Sequence, residues 1–433
     1  MAPRRYALLV AAGLALLVLE LAGLRAQARD ALPWFVALAL AQGGVYFVAV
    51  WWVSSGRPAP LALVLGAAVV LRLPLLLSPP SLSTDIYRYV WDGRVQAAGT
   101  NPYRFVPAAP ELAALRDDRI YPHINRREYA VTIYPPAAQA SFLAVTRVSE
   151  SVLWMKTSVL AFEGLAIWLL LRLLRRSGRP EPEVLLYAWH PLALWEFAGS
   201  GHLDAAPMAL VLAALLGTAR GKSALSGLAL GVATLFKLYP VVVLPALWRR
   251  GDWRMPLAFA GTVALGYLPY ASVGTGVLGF LPGYAREEGL LTGSSYFLLQ
   301  MADSVAGREL PAWLYLIPAV LVLIGLSIWA VRQEGERARE KAALALGAAA
   351  MIAVSPHYAW YFAWLLPLAA LTRCLPMLLL GVTSFVLYVS LLWDSPSTRL
   401  WSNAGVYLPA LALLLVLWSQ HRRPAGDAAG ARA

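Results

Sequence analysis

Apolar residues recur along the chain in runs of about 15–22, separated by short polar stretches rich in arginine. Runs of that length suit the ~30 Å hydrocarbon layer of a bilayer when each forms one helix. The first, residues 6–24, follows Arg4 and Arg5. It is long and has no small-residue cleavage site before Arg25, so a retained helix is expected and not a signal peptide. Further spans are expected at 33–53, 61–78, 151–171, 184–199, 204–219, 223–238, 239–248, 256–272, 311–331, 342–355, 358–372, 375–393 and 402–419. Several are short or contain proline, and the pair either side of Pro240 also reads as one broken helix.

The arginines orient these spans. One set of short loops holds Arg4, Arg5, Arg57, Arg172, Arg175, Arg176, Arg179, Arg220, Lys222, Arg249, Arg250, Arg254, Arg332, Arg337, Arg339, Lys341, Arg373, Arg422 and Arg423. The alternate short loops hold little beyond Arg25, Arg29, Lys237 and Arg399. Positive charge collects on the cytoplasmic side, which places both termini there and gives about 14 helices. Residues 131–149 are apolar enough to cross, but a crossing would put the basic loop after residue 171 outside. The segment is therefore expected to lie in the outer interface, with Pro135 and Pro136 at its start. The expected fold is an all-α polytopic bundle forming a single transmembrane domain over 1–420. A large first outer loop with juxtamembrane helices occupies 79–150 and a second outer loop 273–310, and 421–433 is expected to be a disordered cytoplasmic tail.

Composition narrows the class. Of 433 residues, 59% are hydrophobic and 14% charged, against about half and a quarter in ordinary soluble domains. Mean hydropathy is +0.61. A soluble enzyme, a disordered chain and a disulfide scaffold are all excluded. Cys374 alone can form neither an intrachain disulfide nor a thiolate cluster. The net charge of +12 sits beside apolar runs, so it reports topology and not nucleic-acid binding. The Ala/Leu/Arg-rich, Lys-poor usage points to a GC-rich bacterial gene.

The first outer loop carries the densest chemistry. Ser83 or Thr84 can cap a helix beginning at Asp85. Helical spacing then sets Asp85, Tyr89 and Asp92 on one face, with Arg88 and Arg94 beside them. Carboxylates can take a proton from a hydroxyl, arginines hold phosphate, and aromatic faces stack on sugar rings. The same residues also read as an interfacial aromatic belt with solvated charges. Glu196, His202 and Asp204 lie at another outer loop, where they could bind metal or substrate or tie two helix ends. Lys237, before Tyr239 and Pro240, is a phosphate ligand or an amine reaching the headgroups. His357, Tyr358 and Tyr361 mark a further outer helix end. In the second outer loop Tyr284, Arg286, Glu287 and Glu288 could close over a ligand, with Arg286 the phosphate candidate.

These residues resemble a known group. Ser83-Thr-Asp-Ile-Tyr-Arg-Tyr-Val-Trp-Asp-Gly-Arg94 followed by Gly99-Thr-Asn-Pro-Tyr103 looks like the first outer loop of GT-C glycosyltransferases. The nearest resemblance is to bacterial polyprenyl-phosphomannose-dependent mannosyltransferases, with the GPI mannosyltransferase I catalytic subunit more distant. Tyr134-Pro-Pro-Ala-Ala-Gln139, Trp189-His-Pro191, Gly199-Ser-Gly-His-Leu-Asp204, Phe236-Lys-Leu-Tyr-Pro240 and Ser355-Pro-His-Tyr-Ala-Trp-Tyr361 follow in the expected order. The resemblance covers about residues 60–420; the two preceding spans are outside the common core. It implies a GT-C-like bundle in the bacterial plasma membrane, with the site on the periplasmic or extracellular face. It also implies a polyprenyl-phosphate sugar donor, most simply mannose, and a glycan or glycolipid acceptor. Many relatives carry two adjacent acids where this chain has Thr84-Asp85, so Asp85 alone is implied as the base and Asp92 as support. Lys237 or Arg286 would stabilise the leaving phosphate. No cofactor or metal is implied, although Asp85, Asp92, His202 and Asp204 offer oxygen and nitrogen ligands. The other classes open to this sequence are a transporter or flippase of lipid-linked or polar substrates and an inactive envelope scaffold.

Overall fold

In the computed structural model, residues 6–27, 31–393 and 395–422 are described; Arg4, Arg5, Arg29 and residues 423–433 of the tail expected over 421–433 lie outside them. The described residues are helical with no strand. Helices α1 (Ala7–Arg25), α2 (Leu32–Ser54) and α3 (Leu61–Leu77) open the chain. Next come α4 (Asp85–Ala97), α5 (Pro136–Thr146), α6 (Val152–Arg176), α7 (Ala205–Ala219) and α8 (Ser223–Phe236). Beyond them stand α9 (Arg254–Tyr267), α10 (Leu281–Glu287), α11 (Trp313–Val331) and α12 (Glu336–Val354). Among the described residues, 6 helices are long and apolar enough to cross a membrane: α1, α2, α6, the run Arg254–Glu287, α11 and Pro396–Gln420.

The remaining apolar runs are shorter or broken, several of them at proline. Residues 184–199, expected as one span, divide into short turns ending in a π-helical stretch, Leu194–Gly199. Pro191 cannot donate to the ladder, and His190 Nδ1 instead accepts the Leu192 N–H at 3.1 Å. Likewise Ala359–Leu365 and Ser384–Leu391 are 3₁₀ segments beside the helices Leu366–Thr372 and Leu375–Thr383. The break at Pro240 is a reversal. α8 stops at Phe236, Lys237 is extended (φ −147°, ψ 145°), and Tyr239–Val243 turns back as a 3₁₀ segment. By Arg249 the chain has returned to the end it left, because Arg249 Nη2 donates to the Thr218 carbonyl at 2.7 Å.

The basic loops meet at one end of the bundle. Arg176 joins the Ala219 carbonyl and Glu336, Arg337 the Ser177 carbonyl, and Arg339 the carbonyls of Ala246 and Trp248. Glu183 is clamped by Arg179 and Arg373. These bonds cap the last carbonyls of helices while placing cations at their C-terminal dipoles. The first outer loop and α10 stand at the opposite end. There α5 spans 11 residues, about 16 Å of rise, half of what a crossing needs. It packs instead against α4. At that crossing a Cβ on Gly93 would lie 2.5 Å from the Phe142 carbonyl oxygen, so only glycine permits the contact.

Candidate active site

Helix α4 begins where the sequence indicates: Thr84 is the N-cap residue, and Ser83 Oγ accepts the Asp85 N–H at 3.2 Å. The first turn therefore fixes Asp85 at a rim. Behind it, Tyr89 is fully buried, stacked on Phe142 at 4.7 Å and edge-on to Tyr134 at 5.0 Å. One turn further, Asp92 accepts from Arg88 Nε at 2.7 Å and from Gln139 Nε2 at 2.9 Å. That clasp joins α4 to α5. Asp92 thus shares a helix face with Asp85 but serves the helix pair. Arg94 likewise binds Asp117 at 2.7 Å, Glu150 at 2.9 Å and the Leu115 carbonyl at 2.9 Å, tying down the outer loop.

Asp85 faces a cavity of about 510 Å³. Arg88, Tyr134, Lys237, Tyr239, His357, Tyr358 and Tyr361 share its wall, so four separate sequence motifs converge there. Tyr89, Asp92, Arg94, His202, Asp204 and Arg286 do not line it. Asp204 stands one layer behind, buried. It holds Lys237 Nζ at 2.9 Å and accepts the Tyr239 hydroxyl at 2.7 Å, fixing the ammonium at the chain reversal. Lys237 Nζ also sits 5.1 Å from the centre of the Tyr361 ring. His202 is buried and stacks under Trp360 at 4.1 Å, and Trp360 stacks on Tyr358 at 4.4 Å. It supports the aromatic wall from behind, with Nε2 3.4 Å from Glu196. Arg286 points to the surface and donates only to the Pro282 carbonyl at 3.4 Å.

Besides Arg88, the first outer loop brings Arg126 to the cavity, from a stretch with no periodic pattern. It pairs with Glu287 at 2.6 Å and lies 3.8 Å from Glu288. His357 Nδ1 meets Glu288 at 3.1 Å, and the hydroxyls of Tyr284 and Tyr361 are 2.6 Å apart. These contacts fasten α10 over the cavity. Its entry is set by Gly279 at φ 56°, where a Cβ would lie 1.9 Å from the Thr132 carbonyl oxygen. Asn125, beside Arg126, donates to Asp85 Oδ1 at 3.0 Å.

Electrostatics follow from this placement. A carboxylate at a helix start beside an arginine would ordinarily be held low. Here Arg88 is engaged with Asp92 and the Ala130 carbonyl instead. Burial pushes the Asp85 carboxyl above its usual range, against the opposing pull of Lys237, the Asn125 bond and Arg126. A carboxylate so raised is a stronger base than one on a surface. Among the described residues no group of three or more His, Cys, Asp or Glu side chains is placed to hold a metal ion. Asp92 is engaged in the α4–α5 clasp and Asp204 with Lys237, so the sequence's four candidate ligands do not assemble.

Fold and site together define a helical membrane protein with carboxylates, cations and an aromatic wall around one cavity. The chain belongs to the family described as alpha-(1->6)-mannopyranosyltransferase, N-terminal domain, whose model matches residues 7–249. It is similar to a probable alpha-(1->6)-mannopyranosyltransferase of Mycolicibacterium smegmatis, 30% identical over 151 residues, or 33% of this chain and 26% of the relative. It is also similar to alpha-(1->6)-mannopyranosyltransferase A of Mycobacterium tuberculosis, 26% identical over 210 residues, or 46% of this chain and 40% of the relative. Each match thus spans less than half of the relative's length. Asp85, Lys237 and Tyr239 fall inside the family-matched region; Tyr284, Glu288 and His357 lie beyond it.

Proposed function

We propose that this protein is an inverting mannosyltransferase that moves mannose from a polyprenyl-phosphate donor to a hydroxyl of a glycan or glycolipid. The observation that carries the reading is the meeting of Asp85 with Lys237 and Arg126 at one cavity, in a chain of a mannopyranosyltransferase family. The acceptor oxygen attacks the anomeric carbon as the carbon–phosphate oxygen bond breaks. Asp85 takes the acceptor proton, and the bonding pair leaves on the phosphate. A phosphate leaving group needs no general acid, so one carboxylate suffices where glycosidases use two. Lys237, held by Asp204, and Arg126 stabilise the charge growing on phosphate. Tyr358 and Tyr361 offer faces for the sugar, with Trp360 stacked behind Tyr358.

The relatives' names favour an α-(1→6) linkage. In this reading residues 1–420 form one GT-C-like transmembrane unit with about 14 crossings, the short legs included. Its basic end is cytoplasmic in a bacterial plasma membrane, and its cavity opens on the periplasmic or extracellular side. The groups around the Asp85 cavity gather at one end of the bundle, while the mid-helix Arg72–Glu163 pair is buried and mutually satisfied away from that cavity, which favours transfer over transport. No metal takes part.

The test uses purified protein in nanodiscs with short-chain polyprenyl-phosphate-mannose and mannoside acceptors, with and without chelator. Release of polyprenyl phosphate with elongated acceptor, insensitive to chelator and lost in Asp85→Ala, is expected. Vesicle flux of a lipid-linked sugar without transfer would instead establish a transporter.

A further inference from the structure

A second cavity, of about 500 Å³, opens at the other end of the bundle, among the basic loops. Arg249, Arg250, Arg332 and Arg339 line it, and Leu173 and Leu215 form part of its apolar wall. The carbonyl caps described above engage Arg249 and Arg339 only in part. The side chains of Arg250 and Arg332 have no hydrogen-bond or ion-pair partner among the described residues. Three glutamates also reach the cavity, but their charge is largely engaged. Glu336 pairs with Arg176 at 2.7 Å. Burial, and then the neighbouring Glu336, pushes the Glu340 carboxyl up to about 7. Glu334 is exposed at the rim. Burial and then the adjacent Arg249 weaken the hold of Arg339 on its proton. An anion between the two guanidiniums would relieve that repulsion.

The ligand's other half is legible on α11. Leu321, Ile324 and Ile328 are exposed by 61%, 50% and 50%. Their spacing continues to Arg332, so one helix face runs as an apolar stripe down to a cation at the cavity. A soluble phosphate has no use for such a stripe. A lipid does: its chains lie along the apolar face and its phosphate meets the arginines, as in other basic pockets between transmembrane helices.

We infer that the cavity between Arg249, Arg250, Arg332 and Arg339, at the foot of the Leu321–Ile324–Ile328 stripe, binds the headgroup of an anionic phospholipid. It lies at the opposite end of the bundle from the Asp85 cavity and is a lipid site, not a donor site.

The experiment is native mass spectrometry of the full chain in detergent. Phosphatidylglycerol and diphosphatidylglycerol are offered against phosphatidylethanolamine of matched chains. Wild type is expected to retain an anionic lipid in preference. Each arginine near a membrane surface contributes about a fivefold factor, so Arg250→Gln/Arg332→Gln is expected to lose about 30-fold in that retention. Glu334→Gln, which removes an opposing carboxylate and leaves every arginine in place, is expected to strengthen it. Three results would each overturn the inference: no preference for anionic lipid in wild type, retention unchanged in these variants, or displacement by inorganic pyrophosphate, which would mark a soluble-phosphate site.

Discussion

At the scale of single residues, Asp85 concentrates the chemistry. Asp85→Asn keeps the shape and removes the base, so transfer is expected to fall by about 10²–10⁴-fold while helicity and detergent monodispersity are unchanged. In the proposed reaction the active form is the carboxylate, and burial holds its proton more tightly than usual. The acid limb of kcat/KM is therefore expected above the ordinary carboxylate range, with activity lost as pH falls through it. Asn125 opposes that shift by donating to Asp85. In Asn125→Ala the limb is expected to move to higher pH; a shift to lower pH, read from initial rates across a buffer series, would contradict the assignment. Asp85 drew attention in the sequence through the resemblance of its motif to a GT-C first outer loop, and spacing placed it at the start of a capped helix. Asn125 and Arg126 drew none, because their loop has no period and the partner of Arg126, Glu287, lies 161 residues away. Arg286 offered the same charge from the expected loop but on the outer side of its short helix.

Among elements, the α4–α5 pair decides whether that base is held. Asp92 was drawn into the site by its spacing, but its neighbours give it to the clasp with Arg88 and Gln139. Side chains 3.6 residues per turn apart share a face, yet a face turned toward one partner at its start can meet another two turns on. Asp92→Ala leaves the buried Arg88 guanidinium without its counter-ion, a loss of about 3–5 kcal/mol. Thermal unfolding is expected to drop steeply, whereas Asp85→Asn leaves it in place. Gly93→Val is expected to separate the two helices and to be destabilising for a steric reason alone. The spans themselves were read well where apolar runs were unbroken: α2, α3 and α11 end within a few residues of the expected limits. The runs around Pro191, Pro240 and Pro367 were not, although Pro74 and Pro318 are accommodated inside α3 and α11; periodicity reports burial and is silent on whether the backbone is α, 3₁₀ or π.

For the whole molecule, the arginine pattern gave the ordering of loops, and the structure gathers those loops at one end through bonds to helix carbonyls. Accessibility tests the orientation. Cys374 follows Arg373 at the basic end, while Glu128 lies in the first outer loop with 66% of its side chain exposed. In intact cells an impermeant maleimide is expected to spare native Cys374 and to label Glu128→Cys in a Cys374→Ser background; the reverse pattern would invert the topology. The legs beside the cavity carry one more consequence. α7 and α8 have 15 and 14 residues, which rise only about 22 and 21 Å, against a ~30 Å hydrocarbon layer. In the proposed orientation, with their basic ends at one surface, their far ends would stop about 8 Å short of the other. Lys237, held by Asp204, lies at that far end, so this wall of the cavity would be sunk below the opposite headgroups. A lipid-borne phosphate would have to descend to reach it, and thickening the bilayer would sink it further. Turnover would then fall with acyl-chain length, even though no residue of the protein had changed.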